Sequence, residues 1–205
     1  MSTNRLEAFS DGVLAVAITL LVLDIHVPNA ASHGSLASKL AHGWPNYAAY
    51  VTSFITIGII WVNHHAMIGR LREADHTILV LNLLVLLSIA VLPFATSLLA
   101  TYLREPHGQH LAAAIYSGAF LVMSVLFSLL QRHILLAKSH LMAVPMSERD
   151  RRRLLIRATA GVVPYALATA LAPVSAYVTL IICAAVALFY ASPLASTSGT
   201  GRASS

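Results

Sequence analysis

Residues 5–27 read RLEAFSDGVLAVAITLLVLDIHV, and the fold turns on what this stretch is. From Gly12 to Leu23 no charged residue interrupts it, and Thr19 is its one hydroxyl. A surface helix of a soluble domain needs a polar face, which this run lacks. Extended from Phe9 to Val27, it supplies roughly the twenty residues that a bilayer core requires. That reading sets Asp11 and Asp24 near opposite membrane boundaries. A carboxylate is tolerated there when it faces protein or water, which makes both of them functional candidates. At ~100° per residue, Val16, Thr19, Leu20 and Leu23 share about a third of the helix circumference. Such a flank suits helix packing or the lining of a pore, and periodicity does not choose between them.

The rest of the chain agrees that its solvent is lipid. Of 205 residues, 58% are hydrophobic and 10% charged, and the mean hydropathy is +0.76. That composition excludes a soluble fold and describes an all-α, polytopic membrane protein of one domain. A pI near 9.7 would suggest a nucleic-acid partner in a soluble protein. Here the basic residues stand in loops between apolar runs and act as topology signals, so no nucleic acid is implied. The single cysteine, Cys183, rules out an intrachain disulfide and a cysteine-rich metal site. The opening run follows an acidic as well as a basic residue and has no small-residue cleavage site, so the first span is expected to be retained.

Five further spans are expected, at about 47–68, 77–102, 111–132, 154–171 and 174–190. A long polar loop precedes the second, with a short interfacial turn at 35–40 and Trp44 and Tyr47 marking the boundary. The second span carries Trp61, Asn63, His64 and His65 near its exit, the most polar part of any span. Adjacent histidines point about 100° apart on a helix and do not share one metal from one face, so they are expected to hydrogen-bond other helices. Residues 69–75 form a short charged loop, which predicts antiparallel neighbours in spans two and three. Pro93 is expected to kink span three, and Asn82 to bond another helix. Residues 133–153 are expected to leave the membrane, with Ser147 and Asp150 starting a helix that continues into span five. Spans five and six read as scaffold. Residues 1–192 form the six-helix domain, and 193–205 have the composition of a disordered tail.

All thirteen Lys and Arg residues except Lys39 and Arg104 fall on one side of this layout. The positive-inside bias places both termini in the cytoplasm of a multi-pass protein of the cell membrane. No internal repeat is found. A six-helix unit that builds a pore from one helix needs several copies around an axis.

The cluster Arg5, Phe9, Ser10, Asp11, spaced R-x-x-x-F-S-D and opening the first span, resembles the signature of the transmembrane protein 175 family, with Trp61, His64 and His65 as a second, less specific point of likeness. The resemblance implies a potassium-permeable channel, a homotetramer in which the first helix of each subunit lines a central pore. It implies that Val16, Thr19 and Leu23, placed five, eight and twelve positions after the motif aspartate, narrow that pore. Val16 departs from the bulkier aliphatic residue expected at the first ring and predicts a wider constriction there. The resemblance also implies that the histidines partner Arg5, Ser10 and Asp11, which sit at the cytoplasmic mouth.

No T-V-G-Y-G loop is present, so any selectivity must use something other than a backbone carbonyl cage, and the resemblance implies rings of side chains. The expected throat is Leu23 and Leu20 with Val16, which an ion passes with reduced hydration while Thr19 hydroxyls compensate. Potassium sheds water at less cost than sodium, which sets a modest preference among monovalent cations. Asp24 concentrates cations at the outer pore mouth or is a solvated helix end. Arg5 and Asp11 are expected to form an ion-paired lock. No cofactor or metal is called for, and membrane lipid is the surrounding partner. The rivals are a small proton- or cation-coupled transporter using Asp11, His64 and His65 as titratable groups, a membrane enzyme with His64 as base, for which no nucleophile is evident, and a structural protein without transport.

Overall fold

The structure, a computed structural model, describes residues 3–30 and 33–192. The tail expected at 193–205 lies outside them. The described residues form nine helices: α1 (Thr3–Leu20), α2 (Leu36–His42), α3 (Trp44–Ile68), α4 (His76–Ala90), α5 (Leu92–Tyr102), α6 (Gln109–Arg132), α7 (Glu148–Ala160), α8 (Val162–Leu171) and α9 (Ala176–Ala191). Joined across their breaks, five segments are long and apolar enough to cross a membrane: Thr3–Asp24, Trp44–Ile68, His76–Tyr102, Gln109–Ala137 and Glu148–Leu171. Ala176–Ala191 is shorter, and at about 1.5 Å per residue it reaches ~24 Å, most of a hydrocarbon core. Six spans result.

Proline places two of the breaks. Pro93 has no N–H for the carbonyl of Ile89, and the third span breaks at Val91 between α4 and α5. Pro164 does the same to Ala160, and the fifth span breaks at Gly161. Spans two and three are neighbours as expected, but the kink concentrates their packing in the second half of span three. α5 packs on α3, whereas α4 packs on α6 and on α1, which is wedged between α3 and α4. Span four also exceeds its expected end, continuing through a π turn, His133–Ala137. The first helix ends sooner than Val27. It tightens into a 3₁₀ turn, Leu21–Asp24, and is extended from Ile25, because Pro28 holds the residue before it out of the helical region. The Asp24 carbonyl freed there accepts from His26 Nδ1 at 2.9 Å and Asn46 Nδ2 at 3.3 Å.

Caps follow the sequence closely. Ser35, Ser147 and Ser175 each accept an N–H from the first turn of α2, α7 and α9. Gly108, with φ of 102°, turns the chain into α6, and a Cβ there would stand 2.8 Å from the Tyr102 ring. Small polar residues let the central helices approach: Ser53 Oγ lies 2.8 Å from Thr96 Oγ1 and 3.1 Å from Tyr116 Oη, joining α3, α5 and α6.

The loops after α3 and after α6 pair on one side of the bundle. Arg72 N donates to Leu141 O at 2.8 Å and Ala143 N to Arg70 O at 2.9 Å. Asp75 closes the joint, with Lys138 Nζ at 3.3 Å and His133 Nε2 at 3.6 Å, while its Oδ1 accepts the Ile78 N–H at 2.8 Å as the cap of α4. The Ile78 N–H, with Lys138 and His133 behind it, holds the Asp75 carboxyl below the usual carboxylate range, outweighing desolvation. A depressed pKa stabilises the fold above the unfolded value, and that contribution is lost as pH falls through the folded one. Asp75→Ala should therefore cost about 1 kcal/mol, the value of an N-cap. The gap in thermal midpoint between variant and parent in detergent should close as the solution is acidified. A gap independent of pH would remove the charged partners from this account.

Candidate functional site

α1 is held on one face and open on the other. Leu6, Ser10, Leu14, Ala17 and Leu21, at helical spacing, are buried against the bundle. Ser10 sits at the centre of a directed chain of hydrogen bonds. Its hydroxyl donates to Leu6 O at 2.8 Å, so its oxygen must accept, and Asn82 Nδ2 donates to it at 3.0 Å. That orients the Asn82 carbonyl toward His64, whose Nε2 lies 2.6 Å away and must carry the proton. Ser10, Asn82 and His64 are all fully buried. The second ring nitrogen of His64, Nδ1, is buried and has no partner among the described residues.

One helical position on, the side chains turn to a different group. Trp61 Nε1 donates to Asp11 Oδ1 at 2.9 Å. His65 Nδ1 lies 3.0 Å from Glu7 Oε1 and 3.7 Å from Asp11 Oδ2. The two histidines thus diverge as their 100° offset requires, one into the core and one to the half-exposed edge. Donor atoms of Glu7, Asp11 and His65 all lie within 4.8 Å of one another. The expected Arg5–Asp11 ion pair is not formed: Arg5 is exposed, six residues from Asp11 and so on a different flank of α1. Asp11 is satisfied by α3 instead.

One member of this site escaped the sequence reading, and one was read only in part. Glu7 shares a face with Asp11 at i, i+4, and that spacing was the available signal. Asn82 was expected to bond another helix, but its bridging of two helices at once depends on α1 lying between α3 and α4.

The opposite face of α1 is uncovered by its own chain. Val16 is 56% exposed, Leu20 43% and Leu23 69%, and Phe9, Gly12 and Thr19 are exposed as well. By the ~100° rule, Thr19 points directly away from the buried stripe. Thr19 Oγ1 donates to Val16 O at 2.9 Å, so its proton faces the helix and its lone pairs face outward. Past Leu20 the 3₁₀ turn eclipses positions i and i+3, which brings Leu20 and Leu23 into line, one above the other. Asp24 is half-buried at the end of this turn.

These features define a multi-pass α-helical membrane protein whose first helix is anchored by one face and leaves the other free. The family model of the endosomal/lysosomal potassium channel TMEM175 matches residues 5–93. A potassium channel of Streptomyces collinus is 45% identical over 188 residues, covering 92% of this chain and 91% of that protein. A potassium channel of Chamaesiphon minutus is 37% identical over 191 residues, covering 92% and 93%. The fold matches the crystal structure of a lysosomal potassium-selective channel TMEM175 homologue from Chamaesiphon minutus with a TM-score of 0.82 and 36% identity, over 92% of this chain and 96% of that one. The chain belongs to the TMEM175 family, which is made of channels and not enzymes.

Proposed function

We propose that this protein is a potassium-permeable cation channel that conducts passively, with copies of α1 turning the Val16, Thr19, Leu20 and Leu23 flank toward a shared axis. The observation that carries the reading is that flank itself: apolar side chains and one hydroxyl, left uncovered by a helix whose other face is fully packed. The relatives named as potassium channels support it, since they span over nine-tenths of the chain. A single six-helix subunit encloses no passage around α1, so closure needs a ring of copies, and a homotetramer is the assembly proposed. Residues 1–192 make the channel domain. The paired loops lie in the cytoplasm with both termini, in accord with the basic residues of α7 and of the loop after α3.

In this reading Leu20 and Leu23 form the dry part of the throat, while Val16 leaves the inner ring wider. Thr19 presents oxygen lone pairs to a cation, which offset part of the lost hydration. Potassium, less strongly hydrated than sodium, passes more easily. Arg5, Phe9, Ser10 and Asp11 with Trp61, His64 and His65 hold the lining helix in place. The geometry disfavours a proton-coupled carrier using Asp11, His64 and His65, because His64 is sealed behind Asn82 and does not meet Asp11.

Purified protein in potassium-loaded liposomes should give flux that depends on a counter-charge ionophore; flux equal to that of empty vesicles in repeated preparations would overturn the proposal. In the same assay Thr19→Ala should lower the potassium-to-sodium permeability ratio severalfold. An unchanged ratio would remove that hydroxyl ring from the selectivity mechanism.

A further inference from the structure

A cavity lies away from α1, between α3, α6, α7, α8 and α9, with a volume of about 250 Å³. The direction of each helix gives it a polarity. α3 and α6 run toward the paired loops, α7 and α8 run away from them, and α9 returns. Arg70, Gln131 and Arg157 therefore fall at the loop-side end, while Thr56, Met123 and Tyr165 lie deep in the bundle. No Asp or Glu lines the cavity. Arg70 is half-buried and has no ion pair among the described residues, and its backbone is pinned where its carbonyl accepts from Ala143 N. Just outside, the first turns of α7 add Arg149, Arg151, Arg152 and Arg153.

A half-buried guanidinium just past the end of a membrane span, at the loop-side mouth of the cavity and without a carboxylate partner among the described residues, calls for an anion, and its planar fork matches phosphate oxygens. The wall below it is mostly apolar and lies among membrane helices, which suits an acyl chain better than a water-soluble anion. Basic pockets between spans on the cytoplasmic side take anionic lipid headgroups. We propose that this cavity binds an anionic phospholipid from the leaflet on the loop side, its phosphate between Arg70 and Arg157 and one acyl chain along the wall toward Tyr165. The site does not depend on ion conduction, so it stands or falls separately from the channel reading.

The test uses the full-length protein, stripped of lipid in detergent, titrated with dioleoyl phosphatidylglycerol or dioleoyl phosphatidylcholine and read by native mass spectrometry. Wild type should retain phosphatidylglycerol in preference. Arg70→Gln should weaken its binding about fivefold, the effect of one basic contact near a membrane surface, and leave phosphatidylcholine unchanged, whereas Arg70→Lys, which keeps the charge and loses the fork, should fall between Arg70→Gln and wild type. Arg152→Gln, exposed on α7 and outside the cavity, should change binding less than twofold. Gly161→Leu extends a side chain into the cavity, where a Cβ meets Ser124 Oγ at 3.5 Å, and should reduce retention of phosphatidylglycerol. Equal retention of the two lipids by wild type overturns the proposal. So do equal losses from Arg70→Gln and Arg152→Gln, which indicate diffuse surface attraction, or displacement of phosphatidylglycerol by glycerol 3-phosphate, which indicates a soluble anion. Were Arg70→Gln misfolded by thermal unfolding, the comparison of Arg70→Lys and Gly161→Leu with wild type still decides.

Discussion

Asn82→Leu should destabilise the subunit by about 2–4 kcal/mol and leave little monodisperse protein in detergent. Leucine repeats the branched outline of asparagine with no less bulk, so the loss is not that of a cavity. It breaks two buried bonds at once: the His64 Nε2 proton is left without its acceptor at 2.6 Å, and Ser10, which still donates to Leu6 O, loses its donor at 3.0 Å. Each orphaned buried group costs about 1–3 kcal/mol in soluble proteins, and measured interhelical bonds in membranes fall toward the lower end of that range. His64 suffers most, because its Nδ1 already has no partner and its ring would keep no hydrogen bond. Asp11→Asn makes the informative contrast. An amide oxygen still accepts from Trp61 Nε1, and only the charge toward His65, on the half-exposed edge, is lost, a change of less than about 1 kcal/mol. Thermal unfolding of the two variants decides the ranking. If Asp11→Asn proves the more damaging, the lock that holds the pore helix is the ionic edge and not the buried chain.

Leu23→Ala should raise potassium flux per reconstituted protein about tenfold and drive the potassium-to-sodium ratio toward ~1. Leu23 is the most exposed of the three aliphatic flank residues and stands in line with Leu20. In the proposed ring, truncating it in every copy would widen the dry constriction and let cations keep more of their water. A tenfold gain corresponds to lowering the barrier by about 1.4 kcal/mol, a small share of the cost of stripping an ion. Val16→Ala should change flux far less, since the valine ring is already short. Comparable gains from both variants would move the narrowest point inward, and no gain from Leu23→Ala would take that residue out of the throat.

Much of this arrangement was legible in the chain. The uninterrupted run from Gly12 to Leu23 demands a membrane helix wherever it sits, and Pro93 removes an N–H whatever surrounds it. The serines at 35, 147 and 175 cap their helices through contacts a few residues long. Adjacent histidines had to diverge for the same local reason. The family signature pointed to the right helices and set the histidines toward Ser10 and Asp11, whereas the expected pairing of Asp11 with Arg5 failed, because a motif records which residues occur together and not which touch.

The amino-acid sequence by itself determined six apolar spans, their breaks and caps, and the side of the bundle that gathers positive charge, because each depends on solvent preference or on interactions within a few residues. Tertiary structure alone decided that α1 lies between α3 and α4, that Asn82 joins Ser10 to His64, that Asp11 turns to Trp61 and His65, and that Arg70 and Arg157 share a cavity. Those outcomes depend on how a kinked third span redirects its neighbours, and the partners involved lie 18 to 87 positions apart, beyond the reach of any local rule.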